Sequence, residues 1–115
     1  MPELKKLPAA FYQSGIGKEP VREWLRGLDD ESRGIIGRDI ATAEFGWPVG
    51  MPLSRKLGGG LHEIRSNITD KRMARVIFLV HKERMVLLHG FVKKSQKIPK
   101  TDLDLAKKRA KEITS

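Results

Sequence analysis

The chain has 115 residues, 39% of them hydrophobic and 32% charged, with no cysteine and a formal net charge of +9. That is enough chain for one domain with a modest core, expected over residues 1–115, and too apolar a composition for disorder. Disulfides and thiolate metal sites are excluded. No run approaches the roughly 20 apolar residues of a membrane span and no signal peptide stands behind Met1, so the expectation is a cytoplasmic protein without membrane contact.

Residues 7–12 (LPAAFY) form a short apolar piece suited to a first strand, which Pro8 restricts to a sheet edge. Ser14-Gly-Ile-Gly then breaks the chain. Pro20 opens a helix in its first turn, where its missing N–H is harmless. Val21, Trp24, Leu25 and Leu28 follow at i, i+3, i+4 and i+7, a single apolar stripe. Asp30 is the expected cap of a second helix over 31–45, with Ile36, Ile40 and Ala43 facing inward. The two helices read as a helical hairpin, and residues 46–52 (GWPVGMP) as an irregular loop.

The second half differs in charge and in period. Residues 1–50 carry seven Lys/Arg against eight Asp/Glu, a net of −1, whereas residues 51–115 carry sixteen against six, a net of +10. Such polarity points to a polyanionic partner, because clustered cations gain affinity by releasing counterions from phosphates. Residues 61–65, 73–80 and 85–92 are rich in β-branched and large apolar side chains and are separated by charged turns, the pattern of an antiparallel meander. After Pro99, Leu103, Ala106, Ala110 and Ile113 recur at helical spacing, with Thr101 or Asp102 as the expected cap. The fold class is therefore α+β, with element order β-α-α-β-β-β-α and the helices packed on one sheet face.

Three constellations carry candidate chemistry. The glycines of Ser54-Arg-Lys-Leu-Gly-Gly-Gly-Leu61 lead into a strand rather than a helix, so a flexible lead-in is favoured over a phosphate cradle. Arg55 and Lys56 beside them are suited to phosphate contacts. Alternation puts Glu63 and Arg65 on one strand face, and Arg75 on a face with Ile77 and Leu79. Those arginines either pair with Glu63 across strands or clamp a phosphate, for which the planar fork is well shaped. Finally, HGFVKKSQKIPK (89–100) brings His89, Phe91 and Lys93 to one face, with Lys94, Lys97 and Lys100 following. Phe91 is either core under the last helix or a base-stacking platform beside phosphate contacts. The three histidines have no metal-ligand spacing and no serine triad is evident, so no metal or other cofactor is assigned.

The stretches VREWLRGLDDESR, GWPVGMPLSRKLGGGLHEIRS, ARVIFLV and LLHGFVKKSQKIP, followed by a helix containing Ala106, resemble the phage-derived Gp49-like, HigB-like toxins of the RelE/ParE superfamily over residues 10–113. The resemblance implies a RelE-like fold, an N-terminal helical hairpin packed on a small antiparallel sheet. It also implies a type II toxin that enters the ribosomal A site and cleaves mRNA without a metal. A cognate antitoxin, usually with a helix-turn-helix domain, would neutralise it and alone touch operator DNA. The residues matching the catalytic positions are Arg75 in the middle strand, Arg65 in the strand before it, and Lys93 and Lys94 at the sheet exit. Arg55, Lys56, Lys97, Lys100 and Phe91 are the candidate RNA contacts. The chain departs from many RelE-like enzymes in lacking a C-terminal tyrosine or histidine, so either proton transfer falls to His89, Glu63 or a lysine, or the chemistry depends mainly on positioning. The rivals are a ParE-like inhibitor of a protein such as gyrase, and a basic RNA-binding module whose cations only dock.

Overall fold

The computed structural model describes residues 4–93 and 97–115. The order of elements is β1 (Ala9–Phe11), α1 (Pro20–Arg26), α2 (Asp30–Gly46), β2 (Ser54–Gly58), β3 (Leu61–Asn67), β4 (Met73–His81), β5 (Arg84–Lys93) and α3 (Lys100–Thr114). One five-stranded sheet runs β1-β5-β4-β3-β2, with β1 parallel to β5 and every other pair antiparallel. The α+β class is as expected and compatible with a RelE-like fold. As Pro8 requires, β1 lies at an edge, and the Pro8 carbonyl accepts the Met85 N–H at 2.9 Å. Among the described residues no helix is long and apolar enough to cross a membrane.

Four details depart from the sequence reading. First, residues 54–58 are not a flexible lead-in but a fourth strand of the meander, β2, paired with β3 through Arg55–Glu63 and Lys56–His62. The glycines form the turn of that hairpin. Gly58, Gly59 and Gly60 have φ of 92°, 63° and 82°, a left-handed path that residues with a Cβ adopt only under strain.

Second, the helices do not share one face. The hairpin α1/α2 covers the first face, where Val21, Ile36, Ile40 and Ala43 meet Ile64, Val76, Phe78 and Leu87. The last helix, α3, covers the other, where Ala106 and Leu103 meet Leu61, Ile77, Leu79, Leu88 and Phe91. The cause lies in β4, whose sequence MARVIFLVH is apolar on both alternate rows, so that both faces need cover.

Third, Asp29 rather than Asp30 caps α2. Its backbone is extended and its Oδ2 accepts the Ser32 N–H at 3.0 Å, while Asp30 is already helical. These Ser32 hydrogen bonds hold the Asp29 carboxyl below its ordinary range. Fourth, neither Thr101 nor Asp102 caps α3. That helix starts at Lys100 after an extended Pro99 and has no side-chain cap.

Two features fix where β5 aims its side chains. A register shift between Ile77 and Phe78 sets His89 opposite Ile77 and Leu87 opposite Phe78, leaving Leu88 as an extra residue. Such a bulge changes the phase of alternation. Leu88 and the row His89, Phe91 and Lys93 are thereby all directed to the α3 face. The second feature is Gly90, directly under Trp24 of α1; a Cβ there would lie 2.3 Å from Cε3 of the indole. A glycine inside a strand commonly marks such a close approach, and here it lets α1 settle on the sheet.

Candidate active site

Beyond the N-terminal turn of α3, the apolar row on its face of the sheet gives way to ions. Three adjacent strands contribute one arginine each, Arg55 from β2, Arg65 from β3 and Arg75 from β4. The register sets Arg55 opposite Glu63, Arg65 opposite Arg75, and Arg75 opposite Phe91. Lys93 of β5 stands opposite Met73, one row further out.

Glu63 is the centre of this cluster and is fully buried. It takes Arg55 Nη2 at 2.9 Å and Arg75 Nη1 at 3.5 Å. Arg75 is only 1% exposed, although an arginine is among the last residues expected in a core. The Met73 sulfur lies between two of the guanidiniums, 3.8 Å from Arg65 Nη2 and 4.0 Å from Arg75 Nη2. The cations outnumber the carboxylates, and their ionisation reflects it. Burial pushes the Arg75 guanidinium below its usual value, Glu63 opposing and Arg65 and Arg55 adding to the push. Lys93 is lowered by desolvation and then by the Arg75 charge, with Asp102 and Glu63 acting against it.

The donor inventory is incomplete. The Nε–H groups of Arg55, Arg65 and Arg75 are all buried and have no acceptor among the described residues. A buried donor without an acceptor costs about 1–3 kcal/mol, so the three leave this cluster short of acceptors.

His89 supplies a different function. Its Nε2 donates to Asp102 Oδ1 at 2.6 Å, and its ring stacks on Phe91 with centroids 5.5 Å apart. The carboxylate fixes the tautomer and the ring plane, and Nδ1 has no partner among the described residues. An oriented imidazole beside a cation cluster can accept or give a proton.

Arg55, Arg65, Arg75, Glu63, Lys93, His89 and Phe91 are thus brought together. Phe91 takes the core position under α3, where its ring also stacks on His89. Lys56 is not part of the group; it pairs in register with His62 and shares its opposite sheet face. Lys97 and Lys100 are exposed beside the start of α3, and Lys94 lies outside the described residues.

Asp102 was missed, because a carboxylate in the first turn of a helix reads as a cap. The offset of thirteen residues from His89 carries no local signal. Arg55 was expected only as a phosphate contact, and its ion pair with Glu63 becomes visible once residues 54–58 are read as a strand. The only tyrosine serves a structural end. Tyr12 donates to the Glu112 carboxylate and carries Arg109 over its ring at 5.3 Å, while Arg109 Nη1 donates to the Leu88 carbonyl at 2.7 Å. The bond to Glu112 raises the Tyr12 pKa, and these contacts pin α3 to the sheet. Among the described residues there is no cluster of three or more His, Asp or Glu suited to a metal ion.

Comparison with protein families matches residues 23–111 to the family described as "Phage derived protein Gp49-like (DUF891)". The chain belongs to the Gp49-like family. This is a family of RelE/HigB-like toxins, so membership implies a toxin of a toxin–antitoxin pair and a cognate antitoxin. The matched span covers every residue of the cation cluster together with α2 and most of α1 and α3. A comparison with curated proteins finds no match.

Proposed function

We propose that this Gp49-like toxin is a ribosome-dependent endoribonuclease that cuts mRNA in the A site and so arrests translation. The observation that carries this reading is the trio of buried, unpartnered guanidinium Nε–H groups on three neighbouring strands, with Lys93 beside them. The RNA 2′-oxygen attacks the adjacent phosphorus and the bond from phosphorus to the 5′-oxygen breaks, leaving a cyclic phosphate and a 5′-hydroxyl. Charge builds on the equatorial oxygens in the transition state, and the clustered guanidinium and ammonium groups would stabilise it more than the ground state.

His89, oriented by Asp102, takes the 2′-proton. Lys93, already biased towards losing its proton by burial and Arg75, gives one to the departing 5′-oxygen. Glu63 is buried between two arginines, which suits it to holding the guanidiniums apart rather than to exchanging protons. The ribosome supplies the aligned nucleotide, an orientation effect that a small protein need not build itself. Arg55, Lys97 and Lys100 help to hold the RNA backbone. The antitoxin, carrying a helix-turn-helix domain, would neutralise the toxin and alone touch operator DNA.

Primer extension on a defined mRNA, with purified protein and with or without translating ribosomes, tests this reading. Cuts that appear only with ribosomes and in A-site register are expected. Growth arrest by folded protein without cuts in either condition would instead assign the chain to inhibition of a protein target such as gyrase. Normal ribosome binding without cuts or growth arrest would reduce it to an RNA-docking module.

A further inference from the structure

A second feature lies at the β2 edge and shares only Arg55 with the cluster above. Residues 46–52 (GWPVGMP) fold over the start of β2 and leave a pocket of about 250 Å³ lined by Trp47, Met51, Arg55, Lys56 and His62. Two of its lining rings, Trp47 and His62, meet edge-on at 5.0 Å, and both rest on the buried Phe78 beneath, at 5.5 and 5.3 Å. Met51 is 62% exposed beside it, a large apolar side chain held in solvent. Two cations, Arg55 and Lys56, complete the lining.

We propose that this pocket receives one unstacked RNA base of the strand whose phosphate is held at the arginine cluster. Four observations support this occupant. The volume lies just below the usual range for small-molecule sites, which suits a single ring system better than a larger ligand. Aromatic and thioether walls, in a lining that is mostly apolar, suit the face of a planar ring. Burial, and then Lys56, lower the His62 pKa, so the ring is neutral at pH 7 and adds no charge to the stack. Above all, Arg55 belongs to both places: it lines the pocket and also binds Glu63 at 2.9 Å in the cluster. The rings of the pocket lie on the α1/α2 face and the cluster on the α3 face, so an RNA strand occupying both would pass around the edge strand β2 at Arg55. The inference rests on the nuclease reading for the identity of the strand, and it adds a site where base identity is read.

The test is a titration of the 15N-labelled full chain with each of the four ribonucleoside 5′-monophosphates, and with inorganic phosphate as control. The chain has only two tryptophans, so the Trp47 indole signal is assigned directly with Trp47→Phe. The expected result is movement of the Trp47 indole and His62 ring signals with at least one nucleotide and not with phosphate. Loss of the stacking partner in Trp47→Leu should weaken that binding by about 5- to 100-fold. Because Trp47 also touches Phe78, Met51→Glu is the second variant. It changes an exposed side chain, sets a carboxylate at the pocket mouth, and should weaken binding by at least about 5-fold.

Signals that move only around Arg75 and Lys93, or that move equally with inorganic phosphate, overturn the base pocket. The primer-extension result separates the two readings. RNA cleavage with a silent Trp47 removes the pocket alone, whereas nucleotide binding at Trp47 without cleavage removes the nuclease and keeps the pocket.

Discussion

The two faces of the sheet are built from the same strands and are treated oppositely. Under α1 and α2, Ala74, Val76 and Phe78 of β4 belong to one apolar cluster, with His62 stacked on Phe78 at its margin. Under α3, the alternate row begins in the same way with Leu79 and Ile77 and then reaches Arg75, where the packing becomes ionic. Folding alone does not require that change. Replacing a buried ion pair by apolar side chains of similar volume is often neutral or stabilising. The closed face therefore shows what this fold does when only stability is at issue, and the charged end of the other face shows what has been kept against it. The structure thus separates a part of the molecule that holds the sheet from a part that the sheet holds.

Deep truncation on the closed face should give the largest loss of stability. Phe78→Ala removes a fully buried ring and is expected to lower unfolding free energy by about 3–5 kcal/mol in urea titration. If the two faces were alike, Arg75→Met would behave in the same manner however its neighbours were changed. Instead, Arg75→Met alone should cost about 3 kcal/mol by depriving buried Glu63 of one partner, while Glu63→Leu/Arg75→Met should recover that loss or exceed wild type. The double variant should still cleave at least about 100-fold more slowly, because one of the transition-state donors, Arg75, is gone. A stable double variant that retains wild-type cleavage would break the comparison.

Gly90→Ala sharpens the distinction from the other side. It inserts one methyl group under Trp24, and displacement of α1 should cost about 1–3 kcal/mol, read as a lower urea midpoint. The smallest effect is one of pH. The folded-state pKa of His62 is depressed below its ordinary 6.5, first by burial and then by Lys56. The unfolded chain therefore binds more protons as pH falls from 6.5 towards that lower value, and stability should decline across this window and level off beneath it. Urea midpoints measured against pH should show this slope in the wild type and a flatter one in His62→Gln.

Much of the fold was legible because it depends on local regularities. Proline at 20 with the stripe of Val21, Trp24, Leu25 and Leu28 specifies α1, and the spacing of Leu103, Ala106, Ala110 and Ile113 specifies α3 with its inward face. Apolar runs broken by charged turns specify β3, β4 and β5. Alternation even places Arg75 with Ile77 and Leu79, and the joint presence of Arg65, Arg75 and Lys93 marks the candidate site. The Asp29 cap was displaced by one residue, a local ambiguity between two adjacent aspartates.

What the tertiary structure decided depends on pairing between distant segments. The partner of β2 is settled by hydrogen bonds to β3 across a turn of three left-handed glycines, and only that register sets Arg55 on Glu63. The β5 bulge sets the phase of His89, Phe91 and Lys93. The face chosen by α3 follows from apolar rows on both sides of β4, and it is α3 that carries Asp102 to His89. The sequence by itself thus determined the elements and the supply of cations. Tertiary structure decided which of those cations converge, because convergence is a property of register and of layer order, and neither is written in any one segment.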